Sequence, residues 1–116
     1  MTDAGGYSYP LTESVQATLN GAGAAILRIG PSNPYQQWQI TSVAVNASVV
    51  SPNPVVSVYN SNNPSSQFMG GTYNGGQNSA NISATLYVGQ QICATFTGGQ
   101  PGAIVTLAVQ GTVNVP

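Results

Sequence analysis

The chain has 116 residues and a formal net charge of −1 at neutral pH, which is the size of a single domain. Its charged side chains are Asp3, Glu13 and Arg28; it has no Lys and no His, and Cys93 is its single cysteine. This composition excludes most catalysis by protein side chains, the usual metal centres, nucleic-acid binding and a disulfide scaffold. We therefore expect a non-enzymatic binding or structural module with no cofactor, no nucleic-acid partner and no membrane partner.

The near-absence of charge also bears on where such a protein works. Copies of a chain with so little charge hardly repel one another, so a concentrated free protein of this kind would associate. We favour a subunit packed in an assembly over a dilute secreted protein. The first residues contain neither a basic nor an apolar segment of the kind found in signal peptides, so we expect synthesis in a cytoplasm.

Hydrophobic residues alternate with polar ones along most of the chain, which predicts β-strands and no long helix. Eight segments show this pattern: residues 15–19, 25–29, 37–50, 56–59, 67–73, 81–88, 92–97 and 103–110. Asn20-Gly21 predicts a type I′ hairpin between the first two segments, and Gly89-Gln90 predicts a type II′ hairpin further on. The last three segments are interpreted as a meander.

The third segment changes phase in the middle. Trp38 and Ile40 occupy even positions, whereas the following valines, Val43 and Val45, occupy odd ones. One face of the strand can stay buried only if an extra residue intervenes, so we predict a β-bulge near Thr41.

Strand number and spacing together predict an eight-stranded antiparallel β-sandwich, jelly-roll-like, with an extended N-terminal arm. We place the arm at residues 1–11 and the sandwich domain at residues 12–116.

Two side chains of chemical interest have ordinary structural explanations. Cys93 has no His to activate it, so we interpret it as a small buried hydrophobic residue. We expect Arg28 to pair with Glu13 or Asp3, or to stack on an aromatic ring.

The aromatic residues allow two interpretations. With nearby Asn and Gln residues, four tyrosines could form a platform on which sugar rings stack: Tyr35, Tyr59, Tyr73 and Tyr87. Alternatively, Trp38 is a core residue beside Ile40, and the tyrosines lie on strand faces or at a protein interface. We favour core and protein interface.

Several short motifs follow one another from residue 38 onward. They are Trp38-Gln39-Ile40-Thr41-Ser42-Val43, Val58-Tyr59, Gly70-Gly71-Thr72, Leu86-Tyr87-Val88-Gly89 and Phe96-Thr97-Gly98-Gly99-Gln100-Pro101-Gly102-Ala103, followed by Gly111. In their order and spacing they resemble small β-sandwich virion proteins of tailed bacteriophages, especially those of actinobacterial hosts. Proteins of this kind are capsid decoration or minor tail proteins, so the resemblance implies a structural role without catalytic residues.

The expected function is therefore a capsid decoration protein that binds and stabilises an assembled phage head. The alternatives are a minor tail, tail-tip or fibre component of the same virion, and a carbohydrate-binding module. We expect a location on the outer surface of the capsid or tail. The expected partners are the major capsid protein or other virion proteins, and further copies of the chain, for which a trimer is plausible.

Candidate contact residues come from the arm, the polar loop 60–66 and the C-terminal tail. They are Thr2, Tyr7, Tyr9, Pro10, Leu11, Asn62, Asn63, Pro64, Val113 and Val115.

Overall fold

The alternating pattern forms strands throughout the computed structural model, which describes residues 7–61, 63–73 and 78–115. These residues form eight strands, all paired antiparallel, and the predicted strand number is confirmed. Their bounds are β1 (Tyr7–Thr18), β2 (Ala25–Ile29), β3 (Gln37–Ala47), β4 (Val55–Asn60), β5 (Asn63–Thr72), β6 (Asn78–Leu86), β7 (Ile92–Thr97) and β8 (Ile104–Val115). Across the described residues, no helix is long and apolar enough to cross a membrane.

The strands form two four-stranded sheets. The first sheet has the order β1-β8-β3-β6, and the second has the order β2-β7-β4-β5. Of the eight described strands, β4 and β5 are the one consecutive pair joined by hydrogen bonds. Each of the other connections carries the chain from one sheet to the other.

The predicted hairpin at Asn20-Gly21 is wrong, because β1 pairs with β8 whereas β2 pairs with β7. Asn20 instead organises a turn between the sheets: its Oδ1 accepts hydrogen bonds from the Ala22 and Ala24 amides at 2.9 and 3.1 Å. Within this turn, Gly23 has a positive φ, 71°, and Gly21 does not. An Asn-Gly pair therefore marks a turn here without setting the strand pairing.

The predicted meander of the last three segments is also wrong, because β6, β7 and β8 do not pair with one another. The turn at Gly89 carries the chain from the first sheet to the second; Gln90 N donates to Tyr87 O at 3.0 Å, and Gly89 has φ 87°. A positive φ at the third residue of the turn fits type II, not the type II′ geometry of a tight hairpin.

The core lies between the two sheets and is built from the inward half of each alternating pattern. Trp38 is 8% exposed and Ile40 is fully buried, which confirms their prediction as core residues. The largest fully buried side chains are Tyr73, Phe96, Ile40, Leu86, Ile92 and Leu107.

The predicted bulge in β3 is confirmed. Against β8, Ile40 lies opposite Gly111 and Ser42 opposite Gln110, which leaves Thr41 as the extra residue of β3. The pairing with β6 shifts at the same place, but there the extra residue lies on β6. Ile40 before the shift and Val43 after it are both buried. The extra residue therefore keeps the inward face continuous along a strand whose apolar residues change parity.

The expected arm and the sandwich are continuous at residue 11. Residues 7–11 belong to β1 and pair in register with β8, from Tyr7 opposite Val115 to Leu11 opposite Gly111. Residues 1–6 lie outside the described part of the chain. Residues 7–11 of the expected arm are thus part of the first sheet.

Candidate functional site: a tyrosine-lined cleft

A cleft of about 550 Å³ opens where β1 begins and β8 ends. The loop between β2 and β3 and the end of β6 complete its walls. Its lining residues are Tyr7, Ser8, Pro34, Tyr35, Gln36, Gln37, Tyr87, Asn114 and Val115, which we call the tyrosine cleft. The pairing of Tyr7 with Val115 and of Asn114 with Gln37 brings these strand ends together.

Three aromatic rings are unusually accessible in this cleft. Tyr7 is 64% exposed, Tyr35 is 72% exposed and Tyr87 is 52% exposed. Tyr9, next along β1 on the same face, stacks against Tyr7 with ring centroids 6.1 Å apart and an interplanar angle of 25°. Large rings left in water represent apolar surface that a ligand could cover.

Two short chains of hydrogen bonds hold the polar groups around the rings. Asn114 Nδ2 donates to Gln37 Oε1 at 3.2 Å, and Gln37 Nε2 donates to the Tyr87 hydroxyl at 2.9 Å. In the second chain, Gln36 Nε2 donates to the Tyr9 hydroxyl at 3.0 Å. Both phenol oxygens act as acceptors in these bonds, so each O–H proton remains available for a further acceptor.

The chemistry of the cleft follows from its lining, in which there is no charged side chain. Phenols and carboxamides donate and accept hydrogen bonds, but they do not bind phosphate or carboxylate with the strength of Arg or Lys. The arrangement therefore suits a neutral ligand that offers both hydroxyl groups and an apolar face.

The structure brings together residues that the sequence analysis had placed in separate groups. Tyr7 and Val115 were candidate contact residues, whereas Tyr35 and Tyr87 were candidates for sugar stacking; all four line the tyrosine cleft. Reasoning from sequence missed Gln36, Gln37 and Asn114, although the outward parity of Gln37 in β3 was a signal that could have found one of them.

Other predicted residues lie elsewhere. Tyr73 is 1% exposed and packs in the core. Tyr59 lies on the outer face of the second sheet, where its hydroxyl is 3.3 Å from Thr95 Oγ1. Leu11 and Val113 are also core residues, 4% and 3% exposed, so a partner could not reach their side chains. The four tyrosines predicted as one platform therefore do not form one.

The remaining candidate contact residues are scattered or undescribed. Pro10 is exposed on the outer face of the first sheet, opposite Thr112. Asn63 and Pro64 lie at the start of β5. Thr2 and Asn62 lie outside the described residues.

A second groove, of about 610 Å³, runs between the β1 and β2 edges and contains both described charged residues, Glu13 and Arg28. No ion pair joins charged groups within the described segments, so the expected pairing of Arg28 with Glu13 is absent there. Arg28 lies directly opposite Cys93 on the neighbouring strand. Burial raises the pKa of the Cys93 thiol, and the charge and hydrogen bond of Arg28 partly oppose this shift.

Comparisons with known proteins found no matching family model and no matching curated protein. Among solved structures, the chain is similar to chains of infectious bursal disease virus, Gt strain and Gx strain. Each shares 12% identity over 95% of this chain and 31% of that chain, with a TM-score of 0.36. Dimeric latent PorU from Porphyromonas gingivalis matches with 10% identity over 86% of this chain and 10% of that chain, with a TM-score of 0.29. The chain thus spans less than a third of the length of each of these chains.

Proposed function

We propose that this chain is a non-enzymatic virion structural protein that decorates and stabilises an assembled phage head. The observation on which the proposal rests is the outer face of the first sheet. Along β1, β8, β3 and β6 the outward side chains that the structure describes carry no charge. We call this surface the uncharged face.

The middle of the uncharged face is made of small residues. One row across all four strands reads Ser14, Ala108, Ala44 and Ser79. Hollows of about 290 and 320 Å³ lie beside Ala44 and Ala108. Small side chains let another protein surface approach the sheet closely, and the neighbouring hydroxyls and amides can satisfy its polar groups.

The size of the uncharged face fits a specific interface. Four strands about 4.8 Å apart, each with about ten residues rising roughly 3.3 Å per residue, present an area of about 600–700 Å². A standard interface buries about 800 Å² per partner. Attachment at this face, with the major capsid protein as the partner, would stabilise the shell by the free energy of binding, because the module binds only the assembled form.

We further propose that the sandwich is a jelly roll. Its antiparallel pairs are β1 with β8, β2 with β7, β3 with β6, and β4 with β5. Such nested pairing is obtained when one long hairpin, with its tip between β4 and β5, is folded over into two four-stranded sheets. Two-sheet jelly rolls of eight strands are common in viral capsid domains, which agrees with the proposed role.

Charge placed on the uncharged face tests this proposal. We expect Ala44→Lys and Gln110→Lys to weaken binding to shells that lack the protein by at least about tenfold, because an unpaired charge would be desolvated at the interface. Matched controls are Thr72→Lys and Thr97→Lys, which lie exposed on the outer face of the second sheet. Co-sedimentation measures binding, and circular dichroism checks folding.

The outcomes separate the possibilities. Loss of binding in the face variants alone supports the uncharged face as the attachment surface. Equal binding by folded face and control variants would contradict it. A tail, tail-tip or fibre location remains the second structural role, and the number of copies in each virion distinguishes it from decoration.

A further inference from the structure

We propose that the tyrosine cleft binds a neutral saccharide, one unit of a longer glycan chain. This inference does not rest on the virion role. The cleft shares Ser8, Gln37 and Asn114 with one end of the uncharged face, but Ala44 and Gln110 in the rest of that face do not line it. The two sites can therefore be disabled separately. The argument uses the exposure of the rings, the fixed polar groups and the absence of charge.

The aromatic rings supply the first half of saccharide recognition. A pyranose ring has faces made of C–H groups, which pack against aromatic faces through dispersion and burial of apolar surface. Tyr7, Tyr35 and Tyr87 line one cleft and each is more than half exposed. Three such rings around one space offer more than one wall for stacking.

The polar groups supply the second half. Sugar hydroxyls need partners that both donate and accept, and the cleft contains carboxamides and phenols that do so. Gln37 is already held between Asn114 and Tyr87, at 3.2 and 2.9 Å. Because these side chains are fixed before the ligand arrives, less conformational entropy is lost when it binds.

The shape of the cleft indicates an open subsite. A space of about 550 Å³ falls within the range of roughly 300–1,000 Å³ that is typical of small-molecule sites. Its walls come from strand ends and one loop and leave it open to solvent on one side. A glycan chain can therefore lie across the cleft with one residue seated among the rings.

The absence of charge selects the class of glycan. Acidic sugars and sugar phosphates would need a cation, and none lines the tyrosine cleft. Arg28, the single basic residue of the chain, lies in the separate groove between β1 and β2. Neutral hexose, pentose or N-acetylhexosamine polymers are the ligands that this lining fits.

Binding to a panel of defined oligosaccharides tests the inference. The panel holds neutral glucans, galactans, mannans, arabinans and chitooligosaccharides, with polygalacturonate and heparin as charged members. Trp38 lies outside the cleft, but its Nε1 donates a hydrogen bond at 3.4 Å to Oε1 of Gln36, which lines the cleft, and Trp38 fluorescence is the readout of binding. We expect saturable binding of at least one neutral member with a Kd of about 1 mM or tighter, and none of the charged members.

Variants locate the site. We expect Tyr35→Ala and Tyr87→Ala each to weaken binding at least about fivefold, since stacking on an aromatic ring is lost. Tyr87→Phe keeps the ring and should lose less. Tyr59→Ala is the matched control, because Tyr59 lies on the second sheet away from the cleft.

Several results would overturn the inference. These are no binding by any neutral member of the panel, binding that Tyr35→Ala leaves unchanged, and preference for the charged members. Shell binding is measured on the same variants and should be unaffected. If Tyr35→Ala abolishes shell binding while no saccharide binds, the cleft is a protein interface and the saccharide inference is wrong.

Discussion

Cys93 is on the outer side of β7, opposite the side on which Ile92 and Phe96 face the core, yet only 3% of its side chain is exposed. Across the sheet it is paired with Arg28 on β2 and with Tyr59 on β4. The expectation of a buried small hydrophobic residue is confirmed. Long side chains on both neighbouring strands explain how a residue on an outer face can be buried.

The raised pKa of the Cys93 thiol predicts a loss of stability at high pH. Below about pH 8.5 both the folded and the unfolded chain keep the proton, so the thiol adds no pH dependence. Above that pH the unfolded chain releases its proton first, and the free energy of unfolding falls as the pH approaches the higher pKa of the folded state.

Urea unfolding of the wild type and of Cys93→Ala between pH 6 and pH 10 measures this effect. The two proteins differ only at residue 93, so the contributions of all other groups cancel in the difference. We expect a constant difference in unfolding free energy up to about pH 8, and a decline of the wild type relative to the variant above that. Parallel profiles over the whole range would contradict the assignment.

The tyrosines show what residue-level reasoning can and cannot predict. Alternation with Val56 and Val58 is enough to place Tyr59 on an outer face, as observed. The burial of Tyr73 could not be predicted in this way, because it depends on the chain beyond the end of β5 folding back: Tyr73 N donates to Pro54 O at 2.9 Å. The tyrosine cleft was not predictable either, since its rings come from three distant parts of the sequence.

At the scale of single elements, strands and irregularities within them were predictable, whereas pairing was not. The bulge at Thr41 follows from a change of parity inside one segment, which sequence alone contains. Pairing depends on which strands meet in space, and the turn signals at Asn20-Gly21 and Gly89-Gln90 occur in connections between sheets as well as in hairpins. Both hairpin predictions failed for this reason.

The bulge also makes a specific demand on β8. Gly111 lies opposite Leu11 on one side and Ile40 on the other, where β3 shifts register. A Cβ at this position would overlap the backbone carbonyl oxygen of Gln39, and backbone in the middle of a sheet cannot move aside cheaply. We expect Gly111→Ala to lower the unfolding free energy by about 2–3 kcal/mol.

Gly21→Ala is the matched control for this substitution. Gly21 has no atom within 4 Å of the position of its Cβ and its φ is not positive. The unfolding free energy of the Gly21→Ala variant should be unchanged or higher by up to about 1 kcal/mol, because alanine restricts the unfolded chain. Equal effects of the two substitutions in chemical denaturation would show that the close approach at Gly111 is not important.

For the whole molecule, the placement of the few charges is the informative feature. Glu13 lies on β1 and Arg28 on β2, and each of these is an edge strand of its sheet. Charged residues and the proline at position 10 discourage pairing of exposed edges. The opposite edges, β5 and β6, carry no charged residue within their described lengths. Among the residues that the structure describes, charge is thus found at one side of the sandwich, and the uncharged face remains suited to contact with another protein.

The composition predicted this absence of charge, but it could not predict how the remaining surface divides. Alternation along β1, β3, β6 and β8 indicates one polar side for each strand. It does not show that these four sides form one continuous face, because that depends on the order β1-β8-β3-β6. The distinction between attachment face and cleft therefore required the three-dimensional structure.

Quantitative mass spectrometry of purified virions is the most direct test of the proposed decoration role. It measures the number of copies of this chain relative to the major capsid protein. We expect a ratio within a few-fold of one, because a decoration protein occupies sites repeated over the whole shell. A ratio of a few per cent would place the chain in the tail or at a vertex and contradict decoration. Absence from the virion would contradict the structural role altogether.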